Sequence, residues 1–301
     1  MLSICIPVFN FDVTNLLTSL HKEIIKLSAP IEIICIDDCS SNCYREKNQL
    51  ECNQYGTYIQ LTNNVGRAKI RNLFTEHAKY EYLLFLDCDT AIVTDNFIEQ
   101  YLENLGDGNN LVMCGGIIYD KTKPERQNLL RWRYGQKIES QSFTVRKLNP
   151  YRSFMTGNFL IHRSVLNRVC FNEKLVNYGH EDTLFGFSLK KEHFPILHIN
   201  NPVLHDHLES NGEFLSKTEL GLKNLIQILH YVNNDPQYIE DVKILRYYQK
   251  YRKNHIILPV EVTFLIFKSL IKFLLLKGVV NLFLFNFYKL GFFAIKYRET
   301  K

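Results

Sequence analysis

Short, continuously apolar runs recur through the first two-thirds of the chain, each leading through polar residues into an amphipathic stretch. Residues 3–10 open on such a run, stopped by Pro7 and a polar turn. Over 12–27, Leu16, Leu20, Ile24 and Leu27 share one helical face. Pro30 breaks that pattern, and 31–36 reads as a second strand ending at Asp37 and Asp38. A polar run over 40–49 leads into weaker helix-like sequence, 58–61 looks like another strand, and the turn 63–66 precedes a helix over 67–78. The strongest run, 83–86, delivers Asp87, Cys88 and Asp89 at its end. This strand–helix–strand rhythm predicts an α/β fold with a mostly parallel sheet covered on both faces. In such sheets the ligand crevice lies at the carboxyl ends of the strands.

Further on, 96–105 suits a helix ended near Gly106, Asp107 and Gly108, and 111–114 a strand. The polar, basic stretch 119–150, which includes Trp132, reads as a lid or groove-shaping excursion near the active site, or as a plain surface excursion. Residues 155–161 are strand-like, 164–169 helical, and Gly179-His180-Glu181-Asp182 stands at a helix start, where carboxylates are favoured. Residues 196–203 read as a last strand before His205 and His207, and 220–232 as a helix. From 256 to 297 Leu, Ile, Phe and Val dominate. The longest charge-free run there, 278–288, is too short to span a bilayer. Glu261, Lys268 and Lys272 fall in one narrow helical arc, leaving Phe264, Phe267, Leu270, Ile271 and Leu274 as a broad apolar face, and Lys289 and Lys296 share a similar arc. That pattern fits an in-plane membrane anchor, or else a helix hairpin packed on the catalytic domain or in a homodimer.

At 301 residues, 46% hydrophobic and 22% charged, the chain is globular. A net charge of +5 without an Arg-rich stripe gives no support to nucleic-acid binding. The eight cysteines lack zinc-ligand spacing and a CxxC pair, and Cys5, Cys35 and Cys114 sit inside apolar runs. Met1 opens straight into a strand, with no signal peptide, so a cytoplasmic location is expected. Oxygen-rich Asp87 and Asp89 suit Mg²⁺ or Mn²⁺, with substrate phosphates completing the shell. Arg67 and Arg71, one turn apart, supply cations for a nucleotide diphosphate. No GxGxxG follows the first strand, and there is neither a Walker sequence nor a GxSxG elbow.

Together these residues resemble the inverting family 2 glycosyltransferases of the GT-A fold, over roughly 2–210. Ile4 to Asn10 is similar to the family's first strand and PVYN turn, and Glu32 to Ser40 to its EIIVVDDGS element. Asn64 to Asn72 is similar to the NxGxxxARN helix, and Asp87-Cys88-Asp89 to the DxD. Gly157-Asn158, Arg163, the Phe171 to Leu175 element and Gly179 to Asp182 resemble the acceptor-side block, closest to galactosyl- and N-acetylgalactosaminyl-transferring members. The resemblance implies donor contacts from Pro7, Phe9, Asn10, Asp37, Asp38, Gly66, Arg71, Asp87 and Cys88. It implies acceptor or sugar contacts from Gly157, Asn158, His180 and Glu181, metal ligation by Asp89 and His205 (His207 as fallback), and Asp182 as general base. Two departures stand out: Cys39 replaces a glycine, so its turn must accept a Cβ, and Asn172 replaces an aspartate.

The implied architecture is a GT-A domain over 1–215 and a helical, amphipathic extension over 216–301. The implied reaction is inverting transfer of a hexose or N-acetylhexosamine from a UDP-sugar to a hydroxyl of a glycan or lipid-linked saccharide, in cell-surface polysaccharide synthesis. The expected location is the cytoplasmic face of a bacterial inner membrane. A nucleotidyltransferase would carry a Gly-rich basic loop after the first strand, which is absent here, and a non-catalytic homologue would have lost site carboxylates, which are all present.

Overall fold

The computed structural model describes residues 1–106, 111–175 and 178–300; Asp107 and Gly108, expected at a helix end, lie outside the described residues. In chain order the strands are β1 (Leu2–Val8), β2 (Ile31–Asp37), β3 (Thr57–Gln60), β4 (Tyr82–Leu86), β5 (Thr90–Ala91), β6 (Val112–Cys114), β7 (Ile117–Ile118), β8 (Asn158–His162), β9 (Leu197–His198) and β10 (Val203–His205). The helices are α1 (Thr14–Ile24), α2 (Asn42–Tyr55), α3 (Arg67–His77), α4 (Phe97–Asn104), α5 (Leu129–Tyr134), α6 (Phe143–Leu148), α7 (Arg163–Arg168), α8 (Glu181–Lys191), α9 (Asn211–Tyr231), α10 (Pro236–Asp241), α11 (Lys243–Lys253), α12 (Ile257–Leu276) and α13 (Leu282–Glu299). They form two compact units, one of Met1–Asp120, Ser140–Val176 and Glu181–His207, the other of Lys121–Glu139, Asn177–His180 and Leu208–Lys301.

The first unit is built on a seven-stranded sheet of order β3-β2-β1-β4-β8-β6-β9. All its neighbours run parallel except β8, which is antiparallel to both β4 and β6. β1 continues through Pro7, which pairs with Ile36; standing near the strand end, it forfeits little ladder bonding. The core is aromatic where β4 and β8 meet the helices. Phe85 stacks on Phe159 at 4.9 Å and Phe171 on Phe185 at 4.0 Å, with all four rings buried. Each such ring contributes about 1.5–3 kcal/mol through burial. The polar run after residue 40 is already helical in α2, which is docked by two buried residues, Asn48 and Cys52. The buried Asn48 amide accepts from Val13 N (3.1 Å) and donates to Phe11 O (2.7 Å). The single strand read over 196–203 is two strands in two sheets. Asn201 and Pro202 interrupt it, and the Asn201 amide donates to Phe97 O at 2.8 Å.

The second unit is helical. α9 starts nine residues before the apolar pattern suggests, because Ser210 and Glu213 form a reciprocal capping box. The excursion after residue 119 does not stay in one piece: α5 belongs to this unit, where Arg131 pairs with Glu139 and Glu209 (both 2.9 Å), while α6 belongs to the first. α12 packs on α13, with Phe264 lying against Gly291, where a Cβ would fall within 2.3 Å of the ring. Among the described residues no helix is long and apolar enough to cross a membrane.

Candidate active site

Parallel pairing of β1 with β2 and β4 puts the ends of all three strands on one edge, Val8 opposite Asp37. Asn10, Asp37, Asp38 and the Asp87–Asp89 turn therefore gather although far apart in sequence. Asn10 and Cys39 both adopt the left-handed conformation (φ 48° and 65°), so the turn does accept the Cβ that replaces glycine. The two loops are tied together: Asn10 N donates to Ser40 Oγ, and Ser41 N to Asn10 Oδ1, both at 2.8 Å. Asp37 accepts from Ser40 N (2.7 Å). Asp38 accepts from Val65 N (2.6 Å) and Gly66 N (3.0 Å), which fixes the start of α3. Burial, reinforced by Asp37, raises the Asp38 pKa despite these bonds. Phe9 is half exposed at the same edge.

α3 carries the electrostatic frame. Arg71, only 2% exposed, donates to Asp87 Oδ1 at 2.7 Å and to Arg67 O at 3.0 Å, with its guanidinium 5.7 Å from the Phe171 ring centroid. Arg67, one turn earlier, pairs with Glu181 at 3.3 Å. One helix face thus links the carboxylate ending β4 with the carboxylates opening α8. Cys88, between the two aspartates, has its thiol pushed up to about 12 by burial and by both flanking carboxylates, so it is a neutral thiol.

Asp89 and His205 are brought together by the small sheet β5-β10-β7, in which His205 pairs with Thr90. Asp89 Oδ2 and His205 Nε2 are 3.7 Å apart, too far for a hydrogen bond but close enough for one cation at about 2.0–2.2 Å to touch both. His205 Nδ1 is buried without a hydrogen-bond partner. Among the described residues no group of three or more His, Cys, Asp or Glu could hold a metal. The pair fits a hard cation that takes its remaining oxygens from a diphosphate. His207 instead meets the Phe11 ring edge-on at 5.8 Å.

At the start of α8, burial pushes the buried Glu181 up, but Arg67 and then Arg71 outweigh it and hold its carboxyl below the usual range. Asp182 moves oppositely: burial first, then the Glu181 charge, push it up to about 6. Its Oδ1 accepts from Thr183 N at 2.6 Å. Gly157 lies against Asp87, and a Cβ there would come within 3.2 Å of Asp87 Oδ2 and 2.8 Å of Ile117 Cδ1. Asn158, expected as a sugar contact, is held inside the protein. It is fully buried, accepts from Tyr101 Oη (2.7 Å), and donates to Gly116 O (3.0 Å) and Asn201 O (2.8 Å), so its amide serves the sheet. His180, left-handed at φ 66°, belongs to the second unit.

Residues 3–170 match the family described as Glycosyl transferase family 2. The chain belongs to glycosyl transferase family 2. This family 2 chain is 28% identical over 224 residues to a chondroitin synthase of Pasteurella multocida, covering 62% of the chain and 23% of that protein. It is 31% identical over 153 residues to an uncharacterized glycosyltransferase of Haemophilus influenzae, covering 49% and 48%. The chain thus spans between about a quarter and a half of these relatives. In structure it resembles S. aureus TarS (TM-score 0.51, 20% identity, 76% of this chain and 39% of that one). It also resembles the mannosyltransferase PcManGT from Pyrobaculum calidifontis in complex with GDP-Man and Mn²⁺ (TM-score 0.53, 13% identity, 78% and 64%). These likenesses show a GT-A-like α/β fold with a C-terminal helical extension.

Three residues of this family 2 chain gain roles that spacing alone did not give. Asn72 clamps the 171–173 segment, its amide donating to Phe171 O and Glu173 Oε1 (both 2.9 Å) and accepting from Phe171 N (3.0 Å). Arg163 donates to the carbonyls of Thr75, Ala78 and Tyr80, capping the carboxyl end of α3. Arg146, buried on α6, donates to Cys114 O, Gly115 O and Ile199 O and to His198 Nδ1, all at 2.8–2.9 Å. His198, with its pKa brought down to about 4 chiefly by burial, stays neutral and accepts that bond.

Proposed function

We propose that this chain is an inverting, metal-dependent glycosyltransferase that moves a hexose or N-acetylhexosamine from a UDP-sugar to a hydroxyl of a glycan or lipid-linked saccharide. The observation carrying this reading is the α3 frame, in which Arg71 holds Asp87 and Arg67 holds Glu181 beside an Asp182 lifted to about 6. A carboxylate of that pKa is ionised near neutrality yet basic enough to accept a proton.

In this scheme Phe9, Pro7 and the Asp37–Asp38 turn receive the nucleoside, and Gly66, Arg71, Asp87 and the Cys88 backbone line the donor. Asn10 acts by holding the loops. Asp182 takes the proton from the acceptor hydroxyl as it attacks the anomeric carbon, and the Glu181 charge raises the affinity of that base for the proton. One carboxylate suffices, unlike the two of a glycosidase. Gly157 leaves room beside Asp87. Asp89 and His205 would hold Mn²⁺ or Mg²⁺, which when bound supplies Lewis-acid neutralisation of charge on the departing diphosphate.

Relatives support the class of donor and product. Their names include chondroitin synthase, hyaluronan synthase and poly(ribitol-phosphate) beta-N-acetylglucosaminyltransferase, and TarS has been solved in complex with UDP-GlcNAc. We place the reaction in surface-polysaccharide synthesis on the cytoplasmic side of a bacterial inner membrane, with 1–215 as catalytic domain and 216–301 as extension. The galactose-type preference rests on the acceptor-side motif. The test is a panel of nucleotide sugars with Mn²⁺ and a saccharide acceptor, followed by NMR of the product. Acceptor-dependent UDP release with an inverted anomeric centre supports the reading; a retained centre, or release of pyrophosphate in place of UDP, overturns it.

A further inference from the structure

We propose that the outward face of α12 is a docking surface for a bilayer containing anionic lipids, on which the helix lies in the plane of the surface. α12 has two apolar stripes. Phe264, Ile271 and Leu275 are buried, whereas Val262, Leu265, Ile266, Leu270, Phe273 and Leu276 are each at least 41% exposed. The exposed stripe follows helical spacing along about 30 Å of helix. The three charged side chains of α12 are all engaged away from it. Glu261 is buried against Arg298 (2.6 Å), Lys272 pairs with Glu219 (3.0 Å), and Lys268 sits over the Phe292 ring at 6.0 Å. Beside the stripe lies a cavity of about 340 Å³ lined only by apolar side chains, Phe267, Leu274, Phe283 and Phe287 among them.

Charge decides the occupant. Residues 243–301 hold 12 of the 36 lysines and arginines but only Glu261 and Glu299 of the 31 acidic residues. This stretch therefore carries +10 and residues 1–242 carry −5, within a chain of net +5. Four of these cations, Arg246, Lys272, Lys296 and Arg298, pair with Glu240, Glu219, Glu299 and Glu261; a second copy would bring the remaining positive excess of the stretch against its like, whereas anionic headgroups complement it. The exposed Arg252 and Lys253 end α11, three residues before α12 begins, and reach for phosphates while the apolar stripe of α12 enters the acyl boundary. With no helix among the described residues able to cross the membrane, the geometry is one of lying on the surface.

The proposal rests on the preceding reading only for the choice of a membrane, and its test uses neither donor nor acceptor. The full chain is sedimented with phosphatidylcholine vesicles and with vesicles containing about 30% phosphatidylglycerol. Expected is binding at least about tenfold stronger to the anionic vesicles, weakened by salt. Leu265→Glu with Ile266→Glu, both side chains already in water, should cut binding at least about tenfold with an unchanged circular-dichroism spectrum. Arg252→Glu with Lys253→Glu, which leaves the apolar stripe intact, should erase the preference for anionic vesicles. The proposal fails if neither vesicle is bound, if the glutamate variants bind as the parent does, or if sedimentation equilibrium shows a dimer that Leu265→Glu/Ile266→Glu dissociates. Any of these outcomes would leave sugar transfer untouched.

Discussion

Arg71→Met tests the electrostatic frame of the site. The guanidinium is almost wholly buried, while the Asp87 side chain keeps 26% of its exposure, and the two meet at 2.7 Å. Breaking a fully buried pair costs about 3–5 kcal/mol, and a charge-assisted hydrogen bond contributes about 1.5–3 kcal/mol. Water can reach Asp87 in part, so the lower range applies, and methionine retains much of the packing on Phe171. The expected loss is about 2–3 kcal/mol. Asp87→Asn leaves the more deeply buried partner uncompensated and should cost about 3 kcal/mol. The double variant should be less destabilised than the two losses combined by about 1–2 kcal/mol, the signature of a direct pair. Equilibrium urea unfolding followed by far-UV circular dichroism reads all three. A loss below about 0.5 kcal/mol for Arg71→Met, or strict additivity, would refute the frame.

Glu181→Gln removes the charge that helps lift Asp182. The acidic limb of kcat/KM, expected near pH 6, should move towards the ordinary aspartate range, and an unmoved limb would break the coupling. Because folding raises the Asp182 pKa from 3.8 to about 6, the native state holds this proton to higher pH, and the group's contribution to stability falls as pH rises through that window. Asp182→Asn should therefore be more stable than the parent at pH 7, by up to about 3 kcal/mol, with no gain below pH 4, as thermal melts at the two pH values would show. Asn158→Ala strands the Tyr101 hydroxyl and two carbonyls and should cost about 2–4 kcal/mol in urea unfolding; a cost under about 1 kcal/mol would refute this bonding role. His205→Ala should weaken Mn²⁺ dependence at least about tenfold in a metal titration of UDP binding, and an unchanged titration would remove His205 from the metal site.

Much of the first unit is legible in its apolar runs, because strands buried on both faces carry no competing polar pattern. β1, β2 and β4 fall where 3–10, 31–36 and 83–86 place them. What escapes the pattern is made by single polar side chains. Asn48 helps to dock a helix with little apolar face, and Asn201 and Pro202 split one apparent strand into β9 and β10. The antiparallel insertion of β8 is likewise invisible, since a buried strand reads the same in either direction. At the site, spacing suggests Arg67 and Arg71 as a pair but not their separate partners, Glu181 and Asp87, which only the tertiary fold supplies. Asn158 shows the reverse: its motif marks it as a ligand, yet burial leaves its amide serving Tyr101, Gly116 and Asn201. On α12 the hydropathy pattern merges two stripes that the structure separates, one inward and one outward.

The most direct measurement is sugar transfer by Asp182→Asn, made beside calorimetric UDP binding on the same preparation. Loss of transfer by at least about 10³-fold with UDP affinity within about threefold of the parent is the predicted result. Transfer near the parent rate would contradict the assignment of the base, and with it the account of how the site works.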